Sequence, residues 1–161
     1  MSKIIGTYSA CLYKQPSLDL LNAWAKINVI PNLIKKQSIH STIIYSKTKV
    51  EDRFQKSFNE KELDILAWKF KPLKLDMFSS SSGSKDKNVL VMLLNAPELE
   101  EIHNNLVFNG ASHDFDEYQP HITLSYDVPE RFDWRSLKMP SIYLIPNKIY
   151  FEPLDIEWEN K

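Results

Sequence analysis

The chain of 161 residues has one cysteine, Cys11, so it can form no internal disulfide and no thiolate zinc cluster. A reducing cytoplasm suits that usage. No apolar run approaches the roughly 20 residues of a membrane-spanning helix. The start, Met1-Ser2-Lys3-Ile4-Ile5-Gly6, has too short an apolar part for a secretory signal. A cationic excess is missing too, with 20 Lys and Arg against 21 Asp and Glu. Holding long nucleic acid through many phosphate contacts needs more positive charge than this. A membrane and long nucleic acid are therefore not the expected partners.

The charge that is present is unevenly placed. Residues 1–80 carry 13 basic and 7 acidic side chains, and residues 81–161 carry 7 and 14. The simplest reading is that the halves neutralise each other. A basic face in the first half would suit a small anion. Hydrophobic residues make up 43% and charged residues 25%, the balance of one soluble domain, 1–161, with a real core.

Patterning predicts a strand over 5–13 and a helix over 17–28. That helix has Ser17 as N-cap and Leu20, Leu21, Trp24 and Ile27 as its buried face. A strand follows over 37–47. Residues 62–78 read as two short strands or one bent strand, with Pro72 at a bend or an edge. The serine-rich stretch 79–87 reads as a flexible loop, a hairpin tip or a hinge. A strongly apolar strand, 88–94, precedes a helix over 96–109 with Asn95 and Glu98 as a capping box and Gly110 as its stop. A strand over 119–127 and two closing strands separated by Pro153 complete the chain. Strand–helix–strand thus occurs twice, which predicts an α+β fold of two pseudo-symmetric lobes with antiparallel sheets around a cleft.

The third strand of each unit carries the same pattern: Ile39-His40-Ser41-Thr42-Ile43-Ile44-Tyr45 and Pro120-His121-Ile122-Thr123-Leu124-Ser125-Tyr126. Residues two apart in a strand share a face. His40 and Thr42 should lie on one face and Ile39, Ser41, Ile43 and Tyr45 on the other. In the second copy His121, Thr123 and Ser125 should share the polar face. Two lobes about a pseudo-twofold axis would bring both polar faces into one cleft.

Two imidazoles and two hydroxyls suit phosphodiester cleavage. A neutral imidazole takes a proton from the attacking hydroxyl and a protonated one gives a proton to the leaving oxygen. The threonine hydroxyls can hold the non-bridging phosphate oxygens. A single His-x-Thr in a strand is most often accidental; two copies in equivalent places are far more specific. His103, on a helix near the buried stripe, and His113, in an acidic loop without a threonine partner, read as structural. His113, Asp114 and Asp116 have no recognised metal-binding spacing.

With these residues in place, the chain resembles the two-histidine (2H) phosphoesterase superfamily, whose signature is a pair of His-x-Thr/Ser motifs on a bilobal α+β fold. More narrowly it resembles the phage anti-CBASS nucleases. The narrower match rests on Gly6-Thr7-Tyr8, Val29-Ile30-Pro31-Asn32, the two His-x-Thr segments, and Glu152-Pro153-Leu154-Asp155-Ile156-Glu157-Trp158. That resemblance implies a metal-independent enzyme, with no cofactor, that hydrolyses cyclic di- and trinucleotide signals such as 3′,3′-cGAMP, so that a phage evades host immunity. It implies a monomer in the cytoplasm of the infected host. It implies His40, Thr42, His121 and Thr123 as the catalytic set, Tyr8 and Trp68 stacking on bases, and Glu152 and Trp158 closing the pocket. It also implies a route: attack by the ribose 2′-OH, a 2′,3′-cyclic phosphate, then opening by water to a linear 3′-phosphate.

From the residues alone, Tyr8, Trp68 and Trp158 read equally well as core or strand aromatics, and Lys69, Lys71 and Lys74 as a solvated face. Two other functions compete. An RNA 2′,3′-cyclic phosphodiesterase of the same superfamily would be expected to have a more basic surface. A non-catalytic sponge would have no use for two proton-transfer groups.

Overall fold

The computed structural model describes residues 5–48, 67–80, 87–112 and 117–155. Among these run β1 (Ile5–Tyr13), α1 (Gln15–Ile27), β2 (His40–Ser46), β3 (Lys71–Ser80), β4 (Lys87–Asn95), α2 (Pro97–Phe108), β5 (His121–Ser125) and β6 (Pro146–Asp155), with a 3-10 turn at Lys36–Ser38. The strands form two three-stranded sheets, in the orders β2-β1-β6 and β3-β4-β5, and every neighbouring pair is antiparallel. The units β1–α1–β2 and β4–α2–β5 repeat in register. Leu12 faces His40 as Leu93 faces His121, and Ala10 faces Thr42 as Val91 faces Thr123.

The repeat extends to an irregularity. In β2, Ser9 pairs with Ile44 and Ala10 with Thr42, which leaves Ile43 as an extra residue. In β5, Leu90 pairs with Ser125 and Val91 with Thr123, which leaves Leu124 extra. A β-bulge of this kind shifts the phase of in/out alternation. It corrects the expectation of strict alternation beyond the threonines. Ile43 and Ile44 are both buried, as are Leu124 and Ser125. Ser125 therefore leaves the polar face, and Tyr45, opposite Tyr8, returns to the face of His40 and Thr42.

The helices differ from expectation mainly at their starts. Ser17 is not the N-cap of α1. The helix begins earlier, with Lys14 flanking it and Pro16 in the first turn, where a missing N–H costs nothing. Ser17 is buried; its hydroxyl donates to the Tyr143 carbonyl (3.2 Å) and accepts from the Ile145 N–H (2.9 Å), pinning α1 to the chain entering β6. The buried face is Leu18, Leu21 and Ala25, with Trp24 packed beside it, whereas Leu20 and Ile27 are 55% and 79% exposed. On α2 the capping box does not form, because Asn95 stays in β4 and Ala96 precedes the helix. Leu99, Ile102 and Leu106 form its buried stripe, and Gly110, at φ 104°, follows its end as expected.

The strands around Pro72 and Pro153 follow from proline's missing donor. β3 is an edge strand with an irregularity between Pro72 and Lys74. The two expected closing strands are one: β6 runs through Pro153, which an edge strand tolerates. Ser79 pairs with Asn88 and Ser80 with Lys87, so β3 and β4, on either side of residues 81–86, are antiparallel neighbours in one sheet; residues 81–86 themselves lie outside the described residues.

Apolar side chains including Ile39, Ile43, Ile44, Leu90, Met92, Leu99, Leu106, Ile122, Leu124 and Leu144 form the main core. Each such burial is worth about 1.5–3 kcal/mol. Each half also closes the strand edge of the other. Leu33 bridges to Ser125, and the Ile34 N–H donates to the Leu124 carbonyl (2.9 Å) on β5. On β2, the Ser112 N–H donates to Ser46 Oγ (3.0 Å), and the Tyr118 hydroxyl donates to the Thr42 carbonyl (2.8 Å). These contacts cover part of the outer edge of each histidine strand.

Candidate active site

His40 and His121 are the first residues of β2 and β5, and these two strands contact each other across the sheets. Each imidazole is anchored alike. Nδ1 of His40 lies 2.8 Å from the Ser38 carbonyl oxygen, and Nδ1 of His121 lies 2.8 Å from that of Gln119. A carbonyl only accepts, so each Nδ1 carries the hydrogen and Nε2 of the neutral ring is left bare. Both rings thus present the same nitrogen, ready to take or return a proton. Burial holds the His121 pKa below the usual histidine value; the Gln119 carbonyl partly offsets this, and the charge of His40 adds to the lowering. The two imidazoles therefore sense each other electrostatically.

Thr42 and Thr123 lie on the same faces as the histidines. Thr42 Oγ1 is 3.3 Å from the Tyr8 hydroxyl. Tyr8 stands between two further tyrosines, with ring centroids 6.4 Å from Tyr45 and 6.0 Å from Tyr150. Glu152 is opposite Tyr8 on β6 and is exposed. Burial first, then the Tyr8 phenol and the Glu152 carboxylate, push the Tyr150 pKa up to about 12, so Tyr150 keeps its proton. On the other sheet the Phe78 ring meets the His121 ring edge-on, with centroids 5.3 Å apart at 81°. Phe78 joins Val89, Val91 and Leu93 in a small apolar cluster separate from the main core.

Of the residues singled out in the sequence, the structure brings Tyr8 and Thr42 together and places Glu152 beside Tyr8. Trp68 precedes β3 at the end of the sheet where β5 begins; it is half-buried, and its ring is tilted against Phe70 at 6.4 Å. Trp158 and the segment around His113 lie outside the described residues. Tyr45, Tyr150 and Phe78 escaped the sequence reading. The bulge hid the face of Tyr45, and dividing β6 at Pro153 hid the register of Tyr150. Phe78, at the end of the long apolar run, carried no pattern pointing to His121.

Two lysines complete the outline. Lys148 faces Leu12, which faces His40; Lys74 faces Leu93, which faces His121. One lysine on each sheet thus shares a cross-strand row with each histidine. Lys69 instead sits 5.9 Å over the Tyr143 ring. Among the described residues no three metal-ligating side chains cluster, and no helix is long and apolar enough to cross a membrane.

This geometry matches a solved fold. The crystal structure of E. coli LigT in its apo form superposes with a TM-score of 0.50, at 18% identity, covering 95% of this chain and 96% of LigT. LigT complexed with 3′-AMP gives the same TM-score at 15% identity. The fold is the bilobal α+β fold of the 2H phosphoesterases. The family model described as anti-CBASS protein Acb1 matches residues 5–161, and the chain belongs to that family. The Acb1 protein of Salmonella phage S16 is 32% identical over 159 residues, covering 95% of this chain and 91% of its own length. That of Enterobacteria phage T4 is 30% identical with the same coverage. Family and fold together make the chain a phosphodiesterase-class hydrolase of the anti-CBASS type.

Proposed function

We propose that this protein hydrolyses cyclic di- and trinucleotides such as 3′,3′-cGAMP, in a single domain spanning 1–161 and without a metal ion or cofactor. The observation that carries the reading is the pair of equivalent His–Thr positions, each histidine anchored through Nδ1 to a main-chain carbonyl two residues earlier. Such a pair supplies one base and one acid on opposite sides of a phosphate.

The lowered pKa of His121 favours its neutral form, the form a base needs. His121 Nε2 takes the proton of the ribose 2′-OH, whose oxygen attacks phosphorus. The bond from phosphorus to the 5′-oxygen breaks, and protonated His40 gives that oxygen its proton. A 2′,3′-cyclic phosphate results. Neutral His40 then deprotonates a water, which attacks phosphorus. The bond to the 2′-oxygen breaks, and His121 returns its proton to that oxygen, leaving a linear product with a 3′-phosphate. Thr42 and Thr123 hold the non-bridging oxygens as charge grows on them. Tyr8, with Tyr45 and Tyr150 beside it, and Trp68 stack on the bases, Glu152 and Trp158 close the pocket around the ligand, and Lys74 and Lys148 attract the phosphates.

Incubation with 3′,3′-cGAMP in EDTA, followed by product analysis, tests this. A linear product bearing a 3′-phosphate is expected. Intact ligand released on denaturation would mark a sponge. Cleavage that stops in EDTA would overturn the metal-free route. Turnover of RNA 2′,3′-cyclic ends, with the cyclic dinucleotide untouched, would point to RNA end processing.

A further inference from the structure

The two histidine strands carry the same bulge but secure it by different means. On β5 the bulged residue is Leu124, and its carbonyl accepts from the main-chain N–H of Ile34 (2.9 Å). On β2 the bulged residue is Ile43, and its carbonyl lies 2.7 Å from Nδ1 of His103, a side chain on α2. Next to it, the Thr42 carbonyl accepts from the Tyr118 hydroxyl (2.8 Å). The His103 and Tyr118 rings stack at 4.1 Å, only 8° from parallel.

From this we infer that His103 and Tyr118 are positioning residues for the His40–Thr42 half of the site. This rests on the catalytic reading above. His103 is 4% exposed, and a buried imidazole needs a matched partner to offset its desolvation. The bulge supplies that partner as a carbonyl aimed out of the β1–β2 ladder. Tyr118 holds the preceding carbonyl and lies flat on the imidazole, so each ring restricts the other. Between them they fix the backbone at Thr42 and Ile43, where the phase of the strand is set. Upstream, ordinary alternation gives His40 and Thr42 a common face; downstream, the bulge turns Tyr45 toward Tyr8. Thr42 is held at both ends, its carbonyl by Tyr118 and its hydroxyl by Tyr8 (3.3 Å). The β5 half achieves the same through the main chain of Ile34.

The histidine strands must keep their geometry to well under an ångström, because a 1 Å misplacement costs on the order of 100-fold in rate. A side-chain clamp is open to mutation in a way that the main-chain one is not. His103→Phe keeps the volume and the stack on Tyr118 but removes the donor. His103→Asn keeps a donor near the position of Nδ1. Tyr118→Phe removes only the hydroxyl.

We would measure kcat and KM separately for 3′,3′-cGAMP, together with amide hydrogen exchange at 42–44 and 123–125. The expected result is a fall in kcat of about tenfold or more in His103→Phe, with KM within about twofold, and substantial recovery in His103→Asn. Tyr118→Phe should lower kcat in the same sense. Exchange should accelerate at 42–44 and stay unchanged at 123–125. A lower melting temperature with kcat intact, or exchange rising equally in both strands, would overturn the inference and make His103 a core residue only. If His103→Phe does not fold, Tyr118→Phe carries the same two readouts. If the wild-type protein does not cleave the substrate, the catalytic reading fails, and the contrast in exchange between the two strands still decides the positioning.

Discussion

Both imidazoles are anchored through the same nitrogen, and that leaves Nε2 of each for the proposed proton transfer. His40→Ala or His121→Ala should abolish turnover, by at least the roughly 10²–10⁴-fold that acid–base catalysis contributes. Their circular dichroism and melting should stay close to wild type, because both side chains stand at strand starts rather than in the core. Near-wild-type kcat in either variant would refute the assignment. The pH dependence follows from His121. Its pKa in the fold lies below the ordinary value of about 6.5, so the acid limb of kcat/KM should fall below pH 6.5 and should track the NMR titration of this ring. The sign for stability is the same. Between the folded and unfolded pKa values the unfolded chain binds a proton that the folded chain refuses. His121 therefore costs the fold nothing above about pH 6.5, and stability drops as pH falls below it. The melting temperature of His121→Ala should decline less than that of wild type between pH 7 and 5.

The elements show what patterning can and cannot reveal. Strand β1 and the order strand–helix–strand in both halves were legible, because long periodic segments state their type. The His-x-Thr face was legible as far as the threonines, because i and i+2 share a side. What lay beyond was not. A bulge at Ile43 or Leu124 has no sequence mark, and both residues suit a strand in either phase. Ser17 looked like a cap because Ser–x–Asp resembles a helix start, yet its hydroxyl is bound by the chain before β6, more than a hundred residues away. Pro153 looked like a break because its tolerance depends on β6 being an edge strand, which is a tertiary fact. Gly6 is a smaller case of the same kind. A Cβ there would collide with the Ser46 carbonyl oxygen, because the start of β1 runs close against the end of β2. Backbone cannot yield as a flexible side chain does, so Gly6→Ala should cost at least about 1–3 kcal/mol. Urea unfolding of the variant checks this, and a cost under about 0.5 kcal/mol, no more than an ordinary surface substitution, would show that the strand end shifts freely.

At the scale of the whole molecule, the near-neutral total charge conceals an organised surface. The equivalent rows His40–Leu12–Lys148 and His121–Leu93–Lys74 put one cation on each sheet at the histidine end of the site. The tyrosines and Glu152 lie further along the first sheet. A ligand with phosphates at one end of its footprint and bases at the other fits that order. A protein with no net positive charge can still attract a small anion if two of its cations are placed equivalently about the proposed reacting centre. The sequence alone could not show this, because Lys74 and Lys148 sit in unlike contexts and only the strand register makes them equivalent. The consequence is measurable. KM for 3′,3′-cGAMP should rise with salt, and replacing both lysines by methionine should raise KM at low salt while flattening the salt dependence, by up to about 0.7 in log–log slope for each lysine. Methionine keeps most of the apolar stem, so kcat at saturation should change little. If the double variant retains the wild-type salt dependence, the lysines belong to a solvated face, and attraction of the anion must come from the histidines and the main chain.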